Sequence, residues 1–152
     1  MSRRDQIRMT DDEVASFLDG RRTMNIATHN HDGSIHLVAM WYAMDGASPV
    51  FWTYKSAQKI KNLERDARIT CLVEAGDSYE KLQGVELVGM AEVLTDPDDF
   101  LAIGEKVAER YTGPVTDETR PMVHAMGAKR YAVRVTVERT VSWDHTKLGG
   151  GY

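Results

Sequence analysis

The chain of 152 residues is long enough to fold as one domain with a substantial hydrophobic core. Hydrophobic residues make up 42% of the sequence and charged residues 28%, as in ordinary globular proteins. Nineteen lysines and arginines against 23 aspartates and glutamates give a net charge of −4, which argues against a general nucleic-acid-binding protein.

The first predicted element is a short helix that follows a flexible arm, residues 1–9. Thr10–Glu13 has the pattern of a capping box, in which the threonine and glutamate side chains each accept a hydrogen bond from the other residue's backbone N–H. Gly20 is a suitable residue to end this helix. The apolar residues in between form a narrow stripe, which predicts a mostly solvated helix: Val14, Phe17 and Leu18.

The next segment predicts a β-hairpin. Apolar and polar residues alternate from Met24 to Thr28, and an Asp-Gly turn lies within His31–Ser34. The partner strand, 35–44, is apolar on both faces. We therefore expect one face to cover the core and the other to cover a partner chain or a ligand. A third strand is predicted at 50–54.

The rest of the chain alternates helices with longer strands. Gly84 and Gly89 lie inside one of these strands and indicate a bulge or a bend at a barrel corner. Tight turns join most neighbouring strands, so we expect a largely antiparallel sheet. The sequence predicts a mainly β (α+β) fold, a barrel of about six strands with flanking helices, in a single domain. The remaining predicted elements are helices at 56–66, 97–111 and 119–126, and strands at 68–74, 83–95 and 130–141.

Three lysines stand where the third strand passes into the helix that follows it. If Ser56 is the N-cap of this helix, Lys59 and Asn62 share one helix face, while Lys61 points elsewhere. Lys55 precedes the cap, where a positive charge is disfavoured by the helix dipole unless an anion is bound. The spacing alone leaves open whether these lysines bind an anion or form a solvated helix face.

The sequence predicts neither a catalytic side chain nor a metal site. No nucleophile-and-base motif, phosphate-binding loop or dinucleotide-binding glycine motif occurs in it. His29 and His31 adjoin a turn, and no further ligand stands at a spacing that would complete a zinc site. The single cysteine, Cys71, excludes an internal disulfide, and its apolar neighbours predict a buried, inert thiol. If the protein is an enzyme, we expect a cofactor to carry the chemistry.

Two further features concern location and the C-terminal tail. No apolar stretch approaches the roughly 20 residues of a membrane span, and no apolar segment follows the basic N-terminus as in a secretory signal, so we expect a cytoplasmic protein. The tail, 142–152, contains Trp143, His145, Leu148 and Tyr152. We expect it to be ordered, because so apolar a tail should pack over its own domain, a partner subunit or a ligand pocket.

Several of these segments resemble one known family, the split β-barrel flavin and deazaflavin oxidoreductases related to pyridoxamine 5′-phosphate oxidase. The similar segments are 24–29, 36–42, 56–63 and 65–69, and the S-x-x-K-x-x-N-L spacing after an aromatic strand is the most specific of them. The ending 142–150 resembles the actinobacterial branch that uses the deazaflavin coenzyme F420.

This resemblance implies a six-stranded antiparallel split barrel that forms a homodimer, with two cofactor sites at the interface. The cofactor ring would contact the second strand, the phosphate would bind at the strand–helix junction, and Trp143 and His145 of the partner subunit would lie near the cofactor. The implied ring-binding residues are Val38, Ala39, Met40 and Trp41, and the implied phosphate-binding residues are Thr53, Lys55, Ser56 and Lys59, with Asn62 beside them as a further cofactor-binding residue.

The resemblance further implies a reductase that transfers a hydride from reduced coenzyme F420 to an enone, a quinone or a tetrapyrrole such as biliverdin. One alternative is an FMN-dependent oxidoreductase of the same fold, and another is a non-catalytic protein that binds flavin, deazaflavin or haem. The chain lacks the Arg-Leu-x-Pro ending of pyridoxamine phosphate oxidases and ends in Lys147–Tyr152 instead. This departure argues against oxidation of pyridoxamine phosphate itself.

Overall fold

In a computed structural model of the chain, the structure describes residues 1–21 and 23–149. The helices are α1 (Arg3–Ile7), α2 (Asp11–Gly20), α3 (Gln58–Arg65), α4 (Pro97–Thr112) and α5 (Arg120–Gly127). The strands are β1 (Met24–His29), β2 (Ile35–Met40), β3 (Ala43–Asp45), β4 (Ser48–Tyr54), β5 (Arg68–Ala75), β6 (Gln83–Leu94) and β7 (Arg130–Asp144). Two short 3₁₀ turns cover Tyr79–Lys81 and His145–Leu148.

The strands form one curled antiparallel sheet in the order β2-β1-β5-β6-β7-β4-β3. Its two edge strands, β2 and β3, are joined by only two residues, Trp41 and Tyr42. Since each residue extends the chain by at most about 3.6 Å, the two edges must approach each other at this point. The sheet therefore closes into a split barrel, which confirms the predicted antiparallel barrel with flanking helices.

The described part of the chain contains seven strands, and the prediction of six was wrong. The predicted strand 35–44 is divided into β2 and β3, which lie at opposite edges of the sheet. Hydrogen bonds from helix α4 explain the break. The backbone N–H of Tyr42 donates to the Tyr111 hydroxyl at 3.0 Å, and the carbonyl of Tyr42 accepts from Arg110 at 2.6 Å. Side chains thus satisfy the backbone groups that a continuous strand would pair in the ladder.

The core has two parts, which lie on opposite faces of the sheet. Phe51 and Val133 point into the barrel, where α2 also buries Phe17 and Leu18. On the other face, α4 covers Val50 and Ala132, which precede Phe51 and Val133 in their strands. This second cluster also includes Phe100, Ile103 and Val107 of α4. Because successive side chains of a strand point to opposite faces of the sheet, β4 and β7 contribute residues to both clusters.

The predicted helix that begins at Thr10 is confirmed, including its capping box. Residues 1–9, expected as a flexible arm, contain helix α1 with a capping box of its own. The side chain of Met9 is buried, and its backbone N–H donates to the Ser142 hydroxyl at 3.1 Å. This segment therefore packs against the barrel. No helix within residues 1–21 and 23–149 has both the length and the apolar character needed to span a membrane.

The register of the β6–β7 pair shifts between Val88 and Gly89, with Glu138 of β7 as the extra residue, and this bulge confirms the bend predicted from glycine. A Cβ atom at position 89 would lie 2.1 Å from the Thr136 carbonyl oxygen of β7. We expect Gly89→Ala to lower the free energy of unfolding by about 1–3 kcal/mol, because the backbone of the strand pair must shift to admit the methyl group. Urea denaturation followed by circular dichroism would measure this.

Gly20→Ala is a matched control for this prediction. Gly20 lies in the last turn of α2, and nothing stands within 4 Å of a Cβ atom built there. An added methyl group should therefore be neutral, or stabilise the protein by up to about 1 kcal/mol through helix propensity. Equal stability of the two variants would show that the bulge tolerates a side chain and would contradict the prediction.

Candidate functional site

The candidate site lies where β4 ends and α3 begins. The expectation that Ser56 caps this helix was wrong: α3 begins at Gln58, its N-cap is Ala57, and no side chain caps it. Ser56 is exposed. The start of an α-helix leaves backbone N–H groups without intrahelical partners, and α3 therefore presents uncapped donors at the junction.

Lys59 is the most unusual residue of this junction. Only 7% of its surface is exposed, and its Nζ donates to the Thr53 hydroxyl of β4 at 3.1 Å. Burial lowers the pKa of the Lys59 ammonium, because desolvation disfavours its charged form. Among the residues that the structure describes, no carboxylate lies within ion-pair distance of Lys59. The junction thus holds a buried cation that an anionic ligand would neutralise.

Asn62 is fully buried one helical turn beyond Lys59. Its Nδ2 donates to the Thr28 hydroxyl at 3.0 Å and to Asn30 Oδ1 at 2.9 Å, and its Oδ1 accepts from Gln58 Nε2 at 2.8 Å. Asn62 therefore ties α3 to β1 and positions the helix start. The contribution of Thr28 and Asn30 was not predicted, because no local spacing in the sequence relates them to a residue more than 30 positions away.

Lys55 and Lys61 differ from Lys59. Lys55 is exposed, and its Nζ lies 5.0 Å from the centre of the Tyr131 ring and 5.9 Å from that of Phe100. Its side chain therefore extends along the side of the sheet that α4 covers. Lys61 is exposed on α3, away from the buried face, as expected. Within one chain, the structure brings Thr53 and Lys59 into direct contact and leaves Lys55 as an exposed cation beside the junction.

The residues that were expected to contact a cofactor ring lie in β2 and at Trp41, which follows it. Val38 and Met40 are partly buried, whereas Ala39 is exposed and Trp41 is 52% exposed. Because β2 pairs only with β1 among the described strands, half of its backbone groups point away from the ladder. These groups are sterically available for hydrogen bonds to a ligand or a second chain.

The C-terminal tail packs on its own domain as far as the structure describes it. The Trp143 ring covers Gly84, where a Cβ atom would lie 2.1 Å from it. The Nδ1 atom of His145 is hydrogen-bonded to the Tyr79 carbonyl at 2.7 Å, and Lys147 Nζ donates to Glu13 at 2.6 Å. The predicted order of residues 150–152, including Tyr152, concerns positions outside the described residues.

The thiol of Cys71 is fully buried in β5, as expected. Burial raises the pKa of this thiol to about 12, since the thiolate cannot be hydrated there. A thiol held in its protonated form is a poor nucleophile, so Cys71 belongs to the core of the barrel and not to the candidate site.

The fold and the junction define a class: split β-barrel proteins with a buried cation at the start of a helix. The family model for pyridoxamine 5′-phosphate oxidase matches residues 10–144, and the chain belongs to this family. No curated protein matches the chain.

Solved structures agree with this assignment. A conserved hypothetical protein from Mycobacterium tuberculosis is 44% identical, with a TM-score of 0.94 over 100% of this chain and 95% of that one. A protein described as F420 reductase is 27% identical, with a TM-score of 0.64 over 82% of this chain and 93% of that one. A haem storage protein from Vibrio cholerae, 14% identical, has a TM-score of 0.69 over 87% of this chain and 94% of that one, and shows the fold alone.

Proposed function

We propose that this protein is an oxidoreductase that transfers a hydride from reduced coenzyme F420 to an activated double bond of a small molecule. The buried Lys59, which has no carboxylate partner among the described residues, is the observation that carries the proposal. A burial penalty of this kind is offset when an anion binds, and both deazaflavin and flavin cofactors carry a phosphate. The likeness to the F420 reductase supports deazaflavin as the cofactor.

The chain's own residues suit the binding of such a phosphate. Lys59 would donate a charge-assisted hydrogen bond to a phosphate oxygen, and the Thr53 hydroxyl already orients its ammonium group. The uncapped N–H groups at the start of α3 add further donors and the positive end of the helix dipole. Ser56 and Lys55 are exposed beside this point and would contact the outer side of the phosphate. Asn62 would hold α3 in position through its hydrogen bond to Thr28 of β1.

The ring of the cofactor would lie along β2. Main-chain groups of Val38, Ala39, Met40 and Trp41 on the open edge would bind the polar edge of the ring and fix its position. When bound, the deazaflavin would supply a hydride from a ring carbon. The protein's part is then to hold the acceptor within about 3–3.5 Å of that carbon and to exclude water. This step requires no catalytic side chain, and candidate acceptors are enones, quinones and tetrapyrroles such as biliverdin.

The proposal includes a homodimer with the cofactor sites at its interface. Ile35 and Leu37 of β2 are 54% and 66% exposed, and a second chain would cover this apolar face. In such a dimer, Trp143 and His145 of the partner subunit would line the cofactor site. Their own-chain contacts with Gly84 and Tyr79 would hold both rings in fixed orientations for this role.

Titration of the protein with coenzyme F420 and with FMN, followed by ligand fluorescence, tests the choice of cofactor. We expect the deazaflavin to bind at least about tenfold more tightly than FMN. Tighter binding of FMN would instead support the FMN-dependent alternative, and binding of neither would contradict the proposal. Turnover with enones, quinones and biliverdin then separates a reductase from a protein that only binds flavin, deazaflavin or haem.

A further inference from the structure

A second candidate site lies on the other side of the sheet from the barrel interior. Helices α4 and α5, the loop between them and the rings of Trp41 and Trp52 enclose a cavity of about 350 Å³. This volume is at the lower end of the range of about 300–1,000 Å³ that small-molecule pockets occupy. It suits a compact molecule.

The walls of this cavity are almost entirely apolar. None of the lining residues in the described part of the chain is charged, and most are tryptophan, methionine, valine, proline or alanine. The hydroxyl of Thr112 donates to the Ala108 carbonyl at 2.8 Å, and the hydroxyl of Thr119 is bonded to the backbone N–H of Thr116 at 2.8 Å. Because both wall hydroxyls already have partners, the cavity offers a charged or strongly polar ligand little compensation for lost hydration.

Both tryptophans pack against other residues of the same chain. The Trp41 ring stacks on Tyr111 with a centroid distance of 4.2 Å and an interplanar angle of 1°. The Trp52 ring lies against Gly104 of α4, where a Cβ atom would be 2.3 Å from it, and the Arg130 guanidinium stands 5.3 Å from its centre. Gly104 lowers helix propensity inside α4 by about 1 kcal/mol relative to alanine, and the space it leaves is filled by Trp52. These indoles form rigid aromatic walls that need no reordering on binding.

Two methionines of α5 lie at the rim. Met122 and Met126 are 67% and 47% exposed and line the same cavity. Methionine side chains are flexible and polarisable, and they adapt to the outline of an aromatic ligand. The cavity therefore combines a rigid aromatic floor with an adaptable, uncharged rim.

We propose that this cavity is a binding site for a neutral, flat aromatic molecule of about two fused rings. Rigid indoles favour stacking against a planar ring system, and the lack of charge in the walls disfavours anions such as the cofactor phosphate. The cavity shares no lining residue with the junction at Lys59, although Trp41 lines it and also ends the segment proposed to bind the cofactor ring. The proposal does not depend on the identity of the cofactor. An uncharged aromatic substrate or effector is the class of ligand that fits.

Binding of N-phenyl-1-naphthylamine, a neutral probe that fluoresces in apolar surroundings, tests this site in the full-length protein. Two of the three tryptophans of the chain line the cavity, so the probe should also quench intrinsic fluorescence. The variant Ala108→Phe fills the cavity from α4. We expect it to raise the dissociation constant of the probe by about tenfold or more.

Ala102→Phe is the matched control, because Ala102 is exposed on the same helix and does not line the cavity. It should change the dissociation constant by less than about twofold. Met122→Glu places a charge at the exposed rim with little risk to folding. It should raise the dissociation constant of the probe, as Ala108→Phe does. Lys59→Met should leave probe binding unchanged. The proposal is overturned if the probe does not bind, or if Ala108→Phe and Met122→Glu bind it as tightly as Ala102→Phe.

Discussion

Replacing Arg110 with methionine should lower the free energy of unfolding by about 3–5 kcal/mol, the largest effect expected at a single residue, because several hydrogen bonds from a charged donor would be lost. The Arg110 guanidinium donates to the carbonyls of Leu18, Asp19 and Arg21 at 2.6–2.9 Å, where α2 ends. It also donates to the Tyr42 carbonyl at 2.6 Å. One side chain therefore joins α4 to the end of α2 and to the crossover between β2 and β3.

The size of this effect follows from the number of hydrogen bonds to the charged guanidinium, although the carbonyls of Leu18 and Tyr42 also accept from the hydroxyls of Tyr42 and Tyr111. Tyr42 is fully buried, and its ring lies 4.2 Å from the Arg110 guanidinium carbon. Methionine preserves some of the packing but provides no hydrogen-bond donor. Several carbonyls would therefore lose a charge-assisted hydrogen bond at a site that is partly shielded from solvent. The positive charge at the C-terminal end of the α2 dipole would be lost as well.

Thermal and urea denaturation would measure this loss, with Arg139→Met as the control. The Arg139 side chain is 68% exposed and stands 4.0 Å from Glu86, so its removal should change stability by less than about 0.5 kcal/mol. Arg110→Lys keeps the charge but not the planar fork, and its stability should fall between those of the wild type and Arg110→Met. Similar stabilities of Arg110→Met and Arg139→Met would show that the crossover does not depend on Arg110.

The second large effect is expected at Lys59, where binding and stability should change in opposite directions. Lys59→Met should weaken binding of the deazaflavin cofactor by about 1.5–3 kcal/mol, the scale of a hydrogen bond to a charged group. The same substitution should raise the melting temperature of the ligand-free protein, because it removes a buried charge that has no carboxylate partner among the described residues. If Lys59 instead stabilised the ligand-free protein, Lys59→Met would lower its melting temperature.

The stability gain of Lys59→Met should also depend on pH. Burial lowers the pKa of Lys59 in the folded chain below its ordinary value of 10.5, so the unfolded chain binds the proton more tightly. The buried charge is therefore fully destabilising below the lowered pKa. The penalty diminishes as pH rises through the lowered pKa towards 10.5, and the difference in melting temperature between Lys59→Met and the wild type should narrow over this range.

Lys61→Met is the matched control for both measurements. Lys61 lies in the same helix, but its side chain is exposed. Its replacement should leave cofactor affinity and melting temperature close to those of the wild type. If Lys59→Met and Lys61→Met bind the cofactor equally well, the phosphate does not bind at this junction, and the proposed function loses its main support.

The strands show how far periodicity predicts the fold. Alternation and turn residues correctly indicated β1 and the first hairpin, and the long strands β6 and β7 were predicted near their observed bounds, because each of these follows from local preferences. The division between β2 and β3 was missed. It depends on Arg110 and Tyr111, which lie almost 70 positions further along the chain and bind the backbone of Tyr42. A run of apolar residues contains no sign of such a contact.

The sequence by itself determined the class of the fold, the inert character of Cys71 and the cluster of lysines around the end of β4 and the start of α3. These depend on periodicity, local apolar context and spacing, which are properties of neighbouring residues. Only the tertiary structure distinguished Lys59 as buried from Lys55 and Lys61 as exposed, joined Asn62 to Thr28, and enclosed the cavity between α4 and α5. Burial and hydrogen bonding of a side chain depend on which distant segments pack around it, and this packing exists only in the closed barrel.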